Sequence, residues 1–382
     1  MRLYEFEAKQ IFAKVGIPVP RGALAKTPEQ VRGLVEELKC PIVLKPQTLV
    51  KARGKAGLIG FADSPQEAEK LSRSFFGRTH AEERIDTLLV EEKVKLAAEL
   101  FLGIALDYAK YQPVVIVSPS GGVEIETLAK EQPDLVKKFL VSPGQGLAKK
   151  DALDLAQFVC DYRPETRRKE LTADLQQTIL RFYETFKTYD CEMAEINPLV
   201  FREDFSLIAL DGSMAIDDES QFRHPDLVRP RGQTEENFKE EQDFKKRGWT
   251  YLRMEGDIGI LASGAGLTMS IMDLLTLKGA KPANFLDTAM MNRQGIYDAF
   301  QIFHKSADIK VLLVNIFAGL NRCDDLAEGI KDYLTAYKPP FPIVVRMVGN
   351  QEAEGRKILE SIGITPIASV EEAIDRAISL AR

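Results

Sequence analysis

Two polar clusters about 150 residues apart carry the side chains best suited to chemistry. The first is Lys45, followed by Lys51-Ala52-Arg53-Gly54-Lys55-Ala56-Gly57. A lysine at the end of a strand supplies a point charge, and Arg53-Gly54-Lys55 adds a fork of donors and a second cation on a loop, a combination suited to a polyphosphate. A solvated surface loop could carry the same residues. The second cluster is Glu195-Ile196-Asn197-Pro198, followed by Leu210-Asp211-Gly212. Mg²⁺ takes oxygen ligands and keeps several waters, so Asn197 and Asp211, on adjacent segments that read as strands, would suffice beside phosphates. Glu195 lies two residues before Asn197 and is expected on the same strand face. A third motif, Ser263-Gly264-Ala265-Gly266, joins an apolar run to a helical pattern beginning near Leu267. Amides at a helix N-terminus suit a phosphate or carboxylate, although tight packing of strand on helix would call for the same glycines.

The elements that must position these groups are readable from pattern. Pro41 to Lys45 reads as a buried strand, and Leu88–Glu91 and Leu100–Asp107 repeat the apolar run with polar ends. Thr27-Pro28-Glu29-Gln30 and Ser64-Pro65-Gln66-Glu67 have the form of capping boxes with proline at the first helical position. The pattern turns helical from Pro133 to Lys187, ahead of the strands that carry Asn197 and Asp211. A polar run from Arg223 to Arg247 without hydrophobic periodicity predicts a domain connection. Beyond it, apolar runs at Ile258–Ala262, Ala283–Asp287, Val311–Ile316 and Ile343–Arg346 alternate with amphipathic helices, and a last strand and helix are expected to follow. That alternation predicts a parallel sheet covered on both faces, with ligands at the carboxyl ends of its strands.

Composition narrows the function. A chain of 382 residues is long enough for two or three cores, and its net charge of −6 gives no reason to expect nucleic acid or an anionic membrane as partner. The opening Met1-Arg2-Leu3-Tyr4-Glu5-Phe6-Glu7 is unlike a signal peptide, and no run reaches the length of a membrane span, so a cytoplasmic setting is expected. Cys40, Cys160, Cys191 and Cys323 are scattered and read as reduced thiols. The histidines are His80, His224 and His304, none in a glycine-rich loop that could present an imidazole for phosphorylation.

In this order the pieces resemble the β subunits of succinyl-CoA synthetase-type acid–CoA ligases, over essentially the whole length. The segments that carry the resemblance are Tyr4-Glu5-Phe6-Glu7-Ala8-Lys9-Gln10, Gly16-Ile17-Pro18-Val19-Pro20, Arg53-Gly54-Lys55-Ala56-Gly57, Gly121-Gly122-Val123-Glu124-Ile125-Glu126, Glu195 to Val200, Leu210-Asp211-Gly212, Gly264-Ala265-Gly266-Leu267 and Arg322-Cys323-Asp324. The resemblance implies an α/β chain with an N-terminal ATP-grasp domain, residues 1–235, which binds ATP and Mg²⁺. A flavodoxin-like parallel-sheet CoA-ligase domain would follow at 245–382 and contact the α subunit. It further implies an acyl-phosphate route through a phosphohistidine on an α-type partner that also holds coenzyme A. Lys45, Ala52, Arg53, Gly54, Glu91 and Glu99 would line the nucleotide site, with Pro20 favouring ATP over GTP. Asn197 and Asp211 would hold Mg²⁺, and Glu195 would meet the partner's histidine. Ser263, Gly264, Gly266, Thr288, Asn292, Gly319, Leu320 and Asn321 would serve the acid substrate and the phosphohistidine.

The departures from the family pattern gather in that last group. Ser263 stands where the family usually has Asn, Thr288-Ala289-Met290-Met291-Asn292 replaces a triple-glycine loop, and Phe317-Ala318-Gly319-Leu320-Asn321 replaces Phe-Gly-Gly-Ile-Val. Pro46 to Lys51 is more similar to the corresponding part of ATP-citrate lyase. Added bulk in the loop and new hydroxyl and amide donors at Ser263, Asn292 and Asn321 point to a small di-acid other than succinate, with malate, citrate and sulfoacetate as candidates. Ordinary succinate–CoA ligation, a non-catalytic nucleotide-binding assembly subunit and a carboxylate–amine ligase acting alone are the other readings.

Overall fold

The structure, a computed structural model, describes residues 1–49, 56–80, 83–163, 165–229, 242–288, 291–305 and 309–382. The chain divides into two compact units, Met1–Gly232 and Gln233–Arg382.

The first unit begins with α1 (Glu5–Lys14), β1 (Gly22–Ala25), α2 (Pro28–Leu38), β2 (Ile42–Pro46), β3 (Gly60–Ala62) and α3 (Pro65–Arg73). Thr27 and Ser64 cap α2 and α3, each side chain accepting the N–H three residues on, from Gln30 and Glu67. The reciprocal arm of each box departs from expectation. Gln30 and Glu67 reach back to the N–H of Lys26 and Asp63, one residue before the cap. A short hairpin, β4 (Thr79–His80) and β5 (Glu83–Arg84), precedes β6 (Leu88–Glu92). The antiparallel order β1-β6-β2-β3 makes the smaller sheet, with Val43 opposite Glu91 and Lys45 opposite Leu89. Strand alternation turns Ile42, Leu44, Leu88 and Val90 into the core under α2 and α3, and so presents Lys45 and Glu91 on the other face.

The larger sheet follows from β7 (Leu96–Asp107), β8 (Gln112–Ser118), α4 (Ile125–Glu131), β9 (Lys137–Leu140), α5 (Lys149–Cys160), α6 (Arg168–Thr188), β10 (Cys191–Arg202), β11 (Leu207–Ala209) and β12 (Ser213–Ile216). Its order is β11-β10-β7-β8-β9, with β12 also on β10. One face packs against α1, α5 and α6, where Phe12 meets Phe182 edge-on at 5.6 Å. β11 and β12 pair with successive stretches of the same edge of β10, Leu199–Phe201 and Cys191–Glu195. Asp211 therefore lies in the break between them and not on a strand as expected. The break contains Gly212 because a Cβ there would stand 2.5 Å from the Phe12 ring.

The second unit contains β13 (Thr250–Arg253), β14 (Ile258–Ala262), α7 (Ala265–Leu277), β15 (Asn284–Asp287), α8 (Arg293–Lys305), β16 (Val311–Ala318), α9 (Cys323–Ala336), β17 (Ile343–Gly349), α10 (Glu352–Ser361) and α11 (Val370–Ala381). The sheet order is β13-β15-β14-β16-β17, and the four strands β15-β14-β16-β17 are parallel as the alternation predicts. α8, α9 and α10 cover one face and α7 and α11 the other. Two features differ from expectation. An antiparallel edge strand, β13, pairs with β15, and no strand forms between α10 and α11, where the Ile367 N–H alone donates to Val345 O. Among the described residues no helix is long and apolar enough to cross a membrane. The cysteines are free thiols, and burial pushes Cys191 up to about 12.

Candidate functional site

In the first unit Lys45 of the first cluster meets the second cluster. The Lys45 ammonium donates to Glu5 Oε1 at 2.9 Å and to the carbonyl oxygen of Leu210, and it lies 3.0 Å from Glu91 Oε2. The Leu210 N–H in turn donates to Pro198 O at 3.1 Å, next to Asn197. The backbone of one residue, Leu210, thus links the strand bearing Lys45 to both halves of the second cluster.

Lys45 has a cationic neighbour that the sequence reading did not place in the site. Lys9, on α1, contacts Glu91 at 2.7 Å and Glu5 at 2.8 Å, so two ammonium groups each face the same two carboxylates. All four side chains are almost entirely buried. Burial opposes the charge on Lys45, but Glu5, Glu91 and Asp211 hold its ammonium well above the usual lysine range. Burial pulls Lys9 the other way, against the pull of Glu5. Buried charge is tolerable only when paired, and this neutral tetrad meets that condition. Glu5 and Lys9 fall in the opening segment that carries the family resemblance, but their spacing alone reads as an i,i+4 surface ion pair and gave them no role in the site.

Asn197 and Glu195 do share a face, since Asn197 Nδ2 donates to Glu195 Oε1 at 3.1 Å. The rest of the Asn197 amide grips the loop before α4, accepting from the Gly122 N–H at 2.7 Å and donating to Val123 O at 3.0 Å. Glu99 stands beside the same loop, its carboxylate 2.5 Å from where a Cβ on Gly122 would be; Gly122 has φ +72°. The loop residues Gly122 and Val123 thus belong with the site, and the sequence signal for them was the Gly121-Gly122 pair. Pro20 is buried just before β1. Ala52, Arg53 and Gly54 lie outside the described residues.

Asp211 and the Asn197 amide oxygen are a hard-oxygen donor set, the kind Mg²⁺ accepts when phosphates and water complete its shell. The Asp211 carboxylate is also close enough to raise both Lys9 and Lys45. Among the described residues no group of three or more His, Cys, Asp or Glu converges as a self-contained metal cage.

In the second unit the expected acid-site residues sit at the carboxyl edge of the parallel sheet, but several are engaged within the fold. The Ser263 hydroxyl accepts the Phe317 N–H at 2.9 Å, clasping the ends of β14 and β16. Thr288 is buried, its hydroxyl 3.4 Å from Ala262 O. Asn292 caps α8, its side-chain oxygen accepting the Gly295 N–H at 2.9 Å. Met291 packs into the core near Trp249, so its bulk does not enter a pocket; Ala289 and Met290 lie outside the described residues. Gly264, at φ +91°, turns the chain into α7, Gly266 is exposed in the first turn, and Gly319, Leu320 and Asn321 follow β16 with Leu320 exposed.

His224 is held by Asp190 at 2.8 Å, and the His304 ring is hydrogen-bonded to the Tyr333 hydroxyl.

Comparison with known proteins covers the whole chain. Residues 2–201 match the family model described as ATP-grasp domain, and residues 261–380 the one described as CoA-ligase. The chain is 38% identical over 383 residues to the protein named succinate–CoA ligase [ADP-forming] subunit beta of Staphylothermus marinus, covering 100% of this chain and 99% of that one. It is likewise 38% identical over 385 residues to the protein of the same name from Pyrobaculum islandicum, covering all of both. Among solved structures, the ATP citrate lyase of Methanothrix soehngenii in complex with citrate and coenzyme A superposes with a TM-score of 0.76 at 20% identity, covering 99% of each chain, a likeness of fold.

Proposed function

The chain belongs to the family of β subunits of ADP-forming succinate–CoA ligases, and on that premise we propose that it is the nucleotide-handling subunit of an ADP-forming acid–CoA ligase. The observation that carries this reading is the junction at Leu210, where the Lys45 ammonium meets the turn that bears Asp211. Lys45 and Arg53 hold the polyphosphate of ATP, and Pro20, Glu91 and Glu99 shape the rest of its site. Asn197 and Asp211 hold Mg²⁺, which when bound screens the phosphate charge and orients the terminal phosphoryl group. Glu195, anchored by Asn197, orients a histidine of an α-type partner for phosphorylation. The α7 N-terminus, opened by Gly264 and Gly266, offers amide donors to the phosphohistidine at the second site.

The acid in this proposal is a small di-acid other than succinate, with malate, citrate and sulfoacetate as the candidates. Supporting it, the loop before Asn292 lacks the glycines that let a carboxylate approach bare backbone. Succinate itself is the second reading, favoured by the names of the relatives at 38% identity. Co-expression with the α-type partner, followed by ATP- and coenzyme A-dependent thioester formation over succinate, malate, citrate and sulfoacetate, separates them. Preference for one non-succinate acid is expected; succinate outcompeting all others contradicts the acid assignment and leaves the ligase assignment intact.

A further inference from the structure

Lys9 has no part in the nucleotide site expected from sequence, yet it is the second cation of the buried tetrad. A primary ammonium has three N–H donors. Those of Lys45 face Glu5, Glu91 and the Leu210 carbonyl, so a phosphate oxygen can be taken up only in exchange for one of them. Releasing a buried carboxylate with no cation beside it is strongly unfavourable. Lys9 removes that obstacle, because it touches both carboxylates, Glu91 through both oxygens at 2.7 Å and Glu5 at 2.8 Å. Whichever carboxylate Lys45 leaves, an ammonium stays on it.

We infer that Lys9 is a positioning residue of the nucleotide site: it bridges Glu5 and Glu91 so that Lys45 can exchange one carboxylate for a polyphosphate oxygen. The inference rests on the reading that Lys45 meets the nucleotide. It predicts opposite signs for two neighbouring substitutions. Lys9→Met leaves two carboxylates competing for Lys45 and holds it in place. Glu5→Gln takes away one competitor and leaves Lys9 on Glu91.

The test is calorimetric titration of Mg-ATP into the full chain co-purified with its α-type partner, with the KM for coenzyme A as control. Lys9→Met is expected to weaken Mg-ATP binding by about tenfold or more, since one unit charge within ion-pair distance is worth more than that in a partly screened site. Glu5→Gln is expected to bind Mg-ATP at least as tightly as the unsubstituted chain, and the KM for coenzyme A should stay unchanged in both. If Lys9→Met does not fold, Glu5→Gln alone decides by its sign. Weakened ATP binding in Glu5→Gln, unaltered binding in Lys9→Met, or parallel losses for ATP and coenzyme A would each overturn the positioning role. Absence of Mg-ATP binding by the unsubstituted complex would remove the functional reading itself, and this inference with it.

Discussion

Lys45→Met keeps a long unbranched stem and deletes one of the two buried cations. Three contacts go with it: the ones to Glu5 and Glu91 and the one to the Leu210 carbonyl. Glu5 and Glu91 then share Lys9 alone, and one negative charge is left over in a site where every member is nearly fully buried. Removing one partner from a buried ion pair costs about 3–5 kcal/mol. For a unit the size of Met1–Gly232, each kcal/mol lowers the melting temperature by about 2–4 °C, so a drop of roughly 10 °C is expected. Far-UV circular dichroism follows the whole chain. The single tryptophan, Trp249, lies in the second unit and reports on that unit by fluorescence. A drop of less than about 2 °C would show that the tetrad is exchanged with solvent and does not tie α1 to the smaller sheet.

Asp211→Ala should abolish ADP-forming turnover while leaving the α-type partner bound, as judged by gel filtration; retained turnover with an unchanged Mg²⁺ requirement would remove Asp211 from the metal site. Met291→Ala should cost about 3 kcal/mol through a core cavity, read from the Trp249 melting curve, and should leave the acid preference unchanged; a changed preference would return Met291 to the substrate pocket. The hydrogen bond from Arg223 holds the Asp190 carboxyl below its usual range, with His224 adding to it and burial opposing. A depressed carboxyl stabilises the fold above its unfolded value, near about 3.9, and loses that contribution as pH falls through the folded one. Asp190→Asn, which still tolerates the φ of +50° there, should therefore be less stable at pH 6 and converge on the unsubstituted chain below about pH 4; parallel curves over that range would contradict it.

The second unit was legible because its strands are continuous apolar runs between amphipathic helices, a pattern that both predicts the parallel sheet and places its carboxyl edge. What escaped were elements whose cause is not local. β13 has only Tyr251 buried among four residues, too little to stand out, and its pairing partner lies more than thirty residues on. The segment before α11 has the apolar Ile364 and Ile367 of a strand but makes a single backbone–backbone bond to β17. Asp211 sits beside a strand-like run, and the Phe12 ring that requires glycine at the neighbouring position 212 comes from a distant part of the chain. The two clusters of the candidate nucleotide site were readable as residue types, but Lys9 and Glu5 were not, since burial of an i,i+4 pair is set by the sheet it docks on. Equally, Ser263 and Asn292 read as donors for a ligand and Thr288 as part of the acid site, while the fold uses them as clasp, cap and buried hydroxyl.

The most direct test of the proposed division of labour is to incubate the co-purified complex with Mg²⁺ and γ-³²P-labelled ATP, without acid or coenzyme A, and to ask which chain carries the label. The account predicts an acid-labile, base-stable phosphate on the α-type partner and none on this chain, whose His80, His224 and His304 lie outside any glycine-rich loop. Label on this chain, or none on either, would contradict it.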